Sequence, residues 1–164
     1  YLGAFRREAL IAIGGFDERF TRAQDWEMNY RLRQAGGLVW FDPKLIVTYR
    51  PRKRISSLAK QYFEYGRWRR AVSRRYPETV NFRYLAPPIA VLVSLISILA
   101  TTIQPEFSAL FISYLISLIF CSLFIGKTWS ERIRLPMILF TMHMSWGIGF
   151  LSSPKKLAQG SLST

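Results

Sequence analysis

The sequence predicts an α/β region of short strands and helices, followed by a basic amphipathic helix and two or three membrane helices. Three observations predict it. The 164-residue chain carries 23 Lys and Arg against 10 Asp and Glu, and residues 1 to 83 hold 18 of those cations and 8 of those acids. Beyond residue 83 come charge-free runs at 84–103 and 107–126, each long enough at about 1.5 Å per helical residue to cross a hydrocarbon core of about 30 Å. Before it, β-branched and aromatic residues flank a turn while other segments carry helix start and stop signals.

Such a cationic excess implies an anionic partner: nucleic acid, anionic lipid or a phosphorylated substrate. The apolar neighbours favour anionic membrane lipids, since juxtamembrane Lys and Arg gather at the cytoplasmic leaflet. No zinc-ligand pattern, RNA-recognition signature or basic zipper supports nucleic acid. The single cysteine, Cys121, lies in an apolar run and permits no intrachain disulfide. Tyr1 is not an initiator methionine and no signal peptide is visible, so the sequence reads as beginning partway through a longer protein.

In order, residues 1–6 read as a strand and 7–13 as a short helix that Gly14 and Gly15 end, because glycine takes the left-handed conformation at a helix terminus. The loop Phe16-Asp17-Glu18-Arg19-Phe20 follows. Residues 24–35, with acids in the first turn, arginines in the last and Gly36-Gly37 beyond, predict a helix. Residues 38–41 and 45–49 flank Asp42-Pro43-Lys44 and predict a strand pair. Residues 55–76 place Ile55, Leu58, Ala59, Tyr62, Phe63, Ala71 and Val72 toward one side of a basic helix, broken or bent at Gly66. A third apolar run, 135–151, sits at the lower limit for spanning, contains Gly147 and Gly149, and either crosses or is re-entrant. The cation-free connection at 104–106 and the three cations within 127–134 place residues 1–83 in the cytoplasm. The expected division is 1–54, 55–83, 84–151 and a tail at 152–164.

Asp25 is the candidate for chemistry. A carboxylate in the first turn of a helix is favoured in its ionised form by the backbone dipole, and a general base must be ionised to accept a proton. The alternative is that Asp25 and Glu27 only stabilise the helix start while Trp26, Tyr30 and Leu32 pack in a core. Residues two apart on a helix point roughly 200° from each other, so Asp25 and Glu27 are not a paired metal site. His143, between methionines, reads as a packing residue, as does Cys121.

FRREAL at 5–10, GGFDE at 14–18, QDWEMNYRLRQAGG at 24–37, YRPR at 49–52 and QYFEYGRWRR at 61–70 together resemble the acceptor-side half of inverting family 2 glycosyltransferases, especially membrane-attached bacterial enzymes of the succinoglycan and exopolysaccharide type. The resemblance implies a partial GT-A domain of α/β class with membrane helices behind it, in a multi-pass protein of the bacterial plasma membrane. It implies that Asp25 is the base that deprotonates an acceptor hydroxyl attacking a nucleotide sugar. Gln24 stands where the family more often has Glu. Gly15, Phe16, Asp17 and Gln24 would line the acceptor pocket, with Gln61, Arg67, Trp68 and Arg52 shaping the acceptor and diphosphate site. Residues 61–68 are similar to a stretched QxxRW motif: Arg67 can pair with a diphosphate and Trp68 can stack on a sugar, or both can serve lipid phosphates and the headgroup level. Arg50, Arg52, Lys53 and Arg54 would face a diphosphate or anionic lipid. No phosphate-cradling glycine loop or Asp-x-Asp pair is present, so the resemblance assigns the nucleotide pocket and a Mg or Mn ion to a preceding half, and the sequence as given would be inactive alone. The implied partners are a nucleotide-sugar donor and a lipid-linked or glycan acceptor. The rival reading is a non-catalytic membrane adaptor or an inactive gene fragment.

Overall fold

The computed structural model describes residues 3–49 and 52–157. Among these residues six α-helices form: α1 (Arg7–Ala12), α2 (Gln24–Gln34), α3 (Ile55–Arg75), α4 (Phe82–Ala100), α5 (Ser108–Ile125) and α6 (Trp129–Leu151), with single 3-10 turns at Pro77–Thr79 and Pro105–Phe107.

The α/β expectation is overturned. Among the described residues there is no strand, and the fold is helical throughout. The turn at Asp42 forms: its Oδ1 accepts the Lys44 N–H at 2.9 Å and its carbonyl accepts the Leu45 N–H at 3.2 Å. The arms at 38–41 and 45–49 nevertheless make no ladder. Leu38, Trp40 and Ile46 are 91%, 87% and 87% exposed. Strand preference measures how well a side chain fits a half-buried pleated surface, and a two-stranded ribbon with nothing packed on it is marginal in water. Residues 3–6 are likewise irregular. Tyr1 and Leu2 of that expected strand, Arg50 and Pro51 of the cationic loop, and 158–164 of the tail lie outside the described residues.

The long helices pack around α6, which touches α3, α4 and α5, while α4 also touches α5. Glycines set the closest approaches. A Cβ on Gly66 of α3 would lie 2.0 Å from the Trp146 carbonyl oxygen, and one on Gly149 of α6 would lie 2.0 Å from the Phe63 carbonyl oxygen. Gly147 meets Pro87 of α4 in the same way, its Cβ falling 2.5 Å from that carbonyl oxygen. Small residues at a crossing let backbones touch. The expected break at Gly66 does not occur: α3 is continuous for 21 residues, and the glycine serves the crossing.

α4 and the segment Pro105–Ile125 containing α5 are long and apolar enough to cross a membrane, with mean hydropathies of 1.8 and 2.3. Only 17% and 11% of these windows are buried, so their apolar side chains face outward. Ser97 joins the two: its hydroxyl donates to the Phe107 carbonyl and accepts the Phe111 N–H at 3.2 Å. α6 begins earlier than its apolar run, at a Thr128–Glu131 capping box, and is continuous through Pro136.

Candidate functional site

α2 is held by a buried ionic knot. Glu27, fully buried, accepts from Arg31 Nε at 2.7 Å and Nη2 at 2.9 Å, and the Tyr76 hydroxyl donates to it at 2.6 Å. Arg31 reaches on to the carbonyls of Ile13 at 2.5 Å and Gly15 at 2.7 Å. The carboxylate raises the Arg31 pKa, through its hydrogen bonds first, and fixes the cation. Burial, with the Glu27 contact behind it, pushes the Tyr76 phenol above its ordinary value, so the knot is a carboxylate, a guanidinium and a neutral phenol. The loop after α1 is thereby tied to α2. Within that loop Asp17 pairs with Arg19, whose hydrogen bonds hold its carboxyl below the usual Asp value.

The same loop and α2 close over the second half of α3. Phe20, Trp68, Ala71 and Val72 form the buried cluster, with Ala23, Trp26, Tyr76 and Leu157 against it. Ala23 precedes α2 with φ of 60°, in the left-handed region that a residue bearing a Cβ occupies at a cost of roughly 1 kcal/mol or more. That turn carries Arg22 and Asp25 into a cleft of about 530 Å³, where α2, α3, the start of α4 and the later part of α6 meet. Trp26, Trp68, Tyr84 and Trp146 supply aromatic wall, and His143 contributes from α6, its Nδ1 lying 3.2 Å from the Tyr114 hydroxyl. A second cleft of about 490 Å³ lies beyond the same turn, shared by Phe16, Ala23, Gln24, Asp25 and Tyr65.

Asp25 therefore lines both clefts. Its Oδ1 accepts the Trp26 N–H at 2.8 Å, and among the described residues nothing donates to Oδ2. Glu27, two positions on, is turned into the protein instead, as the helical period requires.

The other sequence-predicted residues scatter. Trp68 lines the first cleft; Phe16 and Gln24 line the second. Gly15 gives its carbonyl to Arg31, and Asp17 is occupied by Arg19. Gln61 lines neither cleft; it donates to the hydroxyl of Tyr65, which lines both, at 2.6 Å and accepts from Arg52 at 3.4 Å. Arg67 is paired with Glu64 at 2.9 Å and lines neither cleft.

Arg69, and not Arg67, lines the first cleft. Its guanidinium carbon lies 3.7 Å from the Tyr84 ring centroid and 4.3 Å from that of Trp26, within cation–π range. Burial lowers its pKa, a pull that Tyr84 partly opposes, yet an arginine remains charged throughout the accessible pH range. The motif reading missed Arg69, Arg22 and Tyr84; the available signal was the run Arg67-Trp68-Arg69-Arg70, in which only one arginine can share a face with the cleft. A divalent cation does not fit here. Three arginines, Arg22, Arg69 and Arg83, surround the one carboxylate, and no group of three His, Cys, Asp or Glu is gathered among the described residues.

The succinoglycan biosynthesis protein ExoA of Rhizobium meliloti (strain 1021) is 29% identical over 151 residues, covering 88% of this chain and 44% of its own length. The chain thus spans less than half the length of that curated relative. No solved structure matches. The profile of the family described as Glycosyl transferase family 21 matches residues 3–153, which include α1 to α6 and every residue of both clefts, so the chain belongs to glycosyl transferase family 21.

Proposed function

We propose that this chain is the acceptor-side and membrane part of an inverting glycosyltransferase of exopolysaccharide or cell-envelope glycan synthesis, working at the cytoplasmic face of a bacterial plasma membrane. Family membership and the likeness to a succinoglycan biosynthesis protein support the reaction class and the setting. The observation that carries the reading is the placement of Asp25, a carboxylate with one unengaged oxygen on the wall of an aromatic cleft.

In this mechanism an acceptor hydroxyl enters the cleft and hydrogen-bonds Asp25 Oδ2. The proton passes to Asp25 as the hydroxyl oxygen bonds to the anomeric carbon. The anomeric carbon–phosphate oxygen bond breaks on the opposite side, and the nucleoside diphosphate leaves with the electron pair. Attack in line inverts the configuration. The aromatic lining offers apolar contact to a sugar ring, and the cleft volume lies within the range that holds small ligands. The nucleotide and a divalent cation belong, in this reading, to residues outside this chain, and no step on these residues passes through a metal.

Crossing of the bilayer by α4 and α5 rests on their length and outward apolar faces. The cation-rich connection at 127–134 and the basic first 83 residues would then share the cytoplasmic side, with the cation-free turn at 104–106 opposite. Membranes containing the whole protein, incubated with a panel of radiolabelled nucleotide sugars, are expected to incorporate label from one donor into lipid-extractable or polysaccharide product. Asp25→Asn membranes of equal protein content are expected to incorporate none. Wild-type incorporation by the variant would remove Asp25 from the mechanism.

A further inference from the structure

α6 is about 34 Å long, enough to cross a membrane, so what its two ends touch decides whether it does. Its start follows α5 after residues 126–128, where Arg132 Nε donates to the Gly126 carbonyl at 3.0 Å and the Thr128–Glu131 capping box closes the first turn. Its far end is bound to α3. The Ser153 hydroxyl donates to the Arg67 carbonyl at 2.9 Å, and Arg74 donates to the carbonyls of Ser153 and Pro154, each at 2.8 Å. Leu157 then packs against the buried cluster of Phe20, Trp68, Ala71 and Val72.

Connectivity turns these contacts into a topology. α3 ends at Arg75 and α4 begins at Phe82, so the end of α3 lies at the start of α4. α4 and α5 pack as a hairpin, with Ser97 near the end of α4 bonded to Phe107 and Phe111 at the beginning of α5. Their 19 and 18 residues give nearly equal lengths, so α5 ends on the side where α4 begins. α6 starts from that side, and its end is bound to α3 on that same side. On the way Gly147 abuts the first half of α4, at Pro87 and Val91, and not its last turns. A third crossing would instead carry Ser153 about 30 Å away, to the side of the 101–107 connection.

The composition and exposed face of α6 agree with its ends. Among the described residues only α4 and the segment containing α5 are apolar enough to cross, whereas Glu131, Arg132 and Arg134 lie inside α6. Trp129, Ile133, Met137, Ile148 and Leu151 are 45–74% exposed, and at the helical period they share a sector of about 100° along its whole length. α6 packs on both α4 and α5, so this stripe continues their outward apolar faces. We propose that α6 does not cross the bilayer but lies beside α3 along the cytoplasmic leaflet, its Trp129 to Leu151 stripe seated on the acyl chains of that leaflet. The proposal rests on the reading that α4 and α5 cross, and it adds the side on which the chain continues. Lys155 and Lys156 then join the cations of 127–134 and of the first 83 residues at the anionic headgroups, while the connection at 104–106 stays cation-free on the opposite side.

The test is cysteine labelling of the whole protein, in right-side-out and inverted membrane vesicles, with a membrane-impermeant maleimide. Cys121→Ser removes the native thiol of this chain, and single cysteines then replace the exposed residues Lys53, Gln104, Lys127 and Lys156 in turn. Lys53→Cys, Lys127→Cys and Lys156→Cys are expected to react only in inverted vesicles, and Gln104→Cys only in right-side-out ones. Lys156→Cys reacting on the side of Gln104→Cys, opposite Lys127→Cys, makes α6 a third crossing and overturns this proposal alone. Gln104→Cys reacting on the side of Lys53→Cys removes the crossing of α4 and α5, and both readings fall with it. A variant whose melting temperature departs from that of Cys121→Ser is replaced by its exposed neighbour, Lys155→Cys for Lys156→Cys and Glu106→Cys for Gln104→Cys. Depth is the second readout. A bimane on Met137→Cys, near the middle of α6, is expected to be quenched more strongly by lipid with a nitroxide near the headgroup than by lipid with one near the chain end. The reverse order puts Met137 at the bilayer centre and overturns the surface placement. Neither readout involves sugar transfer, so loss of the Asp25 mechanism would leave both unchanged.

Discussion

Replacing Gly66 by alanine should destabilise the protein even though alanine is the better helix former. At an ordinary helix interior the change gains about 1 kcal/mol. Here the new methyl would meet the Trp146 carbonyl oxygen at 2.0 Å, Phe150 N at 2.8 Å and Trp146 C at 2.9 Å, all backbone atoms that no rotamer change can move. Reaching ordinary contact near 3.4 Å requires α3 and α6 to part by about 1.4 Å. Overpacking of this kind costs typically about 1–3 kcal/mol and more when backbones must shift, and a gap of that width forfeits much of the dispersion between the two helices. The net loss is about 2 kcal/mol, which lowers the melting temperature by roughly 4–8 °C for a chain of this size. Gly149→Ala meets the Phe63 carbonyl oxygen at 2.0 Å across the same crossing, so the double variant should lose less than the two single losses together. The cleft has Tyr62, Tyr65 and Trp68 on α3 and Met142, His143 and Trp146 on α6, so the same opening should also raise the acceptor KM. Thermal unfolding in nanodiscs followed by circular dichroism measures the effect. A Gly66→Ala chain melting at or above wild type would refute the close crossing.

Two further outcomes concern the knot and the loop. Glu27→Gln leaves Arg31 facing a neutral amide in a buried place and should cost about 2–3 kcal/mol by chemical unfolding, whereas Asp25→Asn, removing only a cleft-facing charge, should change stability by less than about 0.5 kcal/mol. Asp17 has its pKa lowered by Arg19, so the stability it contributes is present above the ordinary Asp value and is lost as pH falls through the lowered one. Arg19 is 38% exposed, which limits that contribution to about 0.2–1 kcal/mol; the difference between wild type and Asp17→Asn should be measurable at pH 7, shrink as pH falls below the ordinary Asp value and vanish below the lowered one.

The helices were legible because their signals are local. Acids opening α2, arginines closing it and Gly36 beyond fixed it to within a residue of its observed end, and α3 and the two apolar spans were read nearly as well. The segments at 38–41 and 45–49 were misread because their composition records a preference for packed surface, which these residues do not have here. Gly66 was read through its own backbone freedom, when its meaning lies in a helix distant in sequence. The lining of the first cleft was legible at Asp25 and Trp68 but not at Arg69. Positions 67 and 69 are about 200° apart around α3, so a motif that favours Arg67 puts the cation on the opposite side from the cleft. The left-handed Ala23 that aims Asp25 has no sequence signal at all.

The central claim is that Asp25 accepts the acceptor proton, and single-turnover transfer by the whole enzyme at saturating donor and acceptor measures that step. A positioned general base contributes about a hundredfold to ten-thousandfold. Asp25→Asn should therefore slow transfer by at least roughly a hundredfold at an unchanged melting temperature, and transfer within a few-fold of wild type would contradict the account.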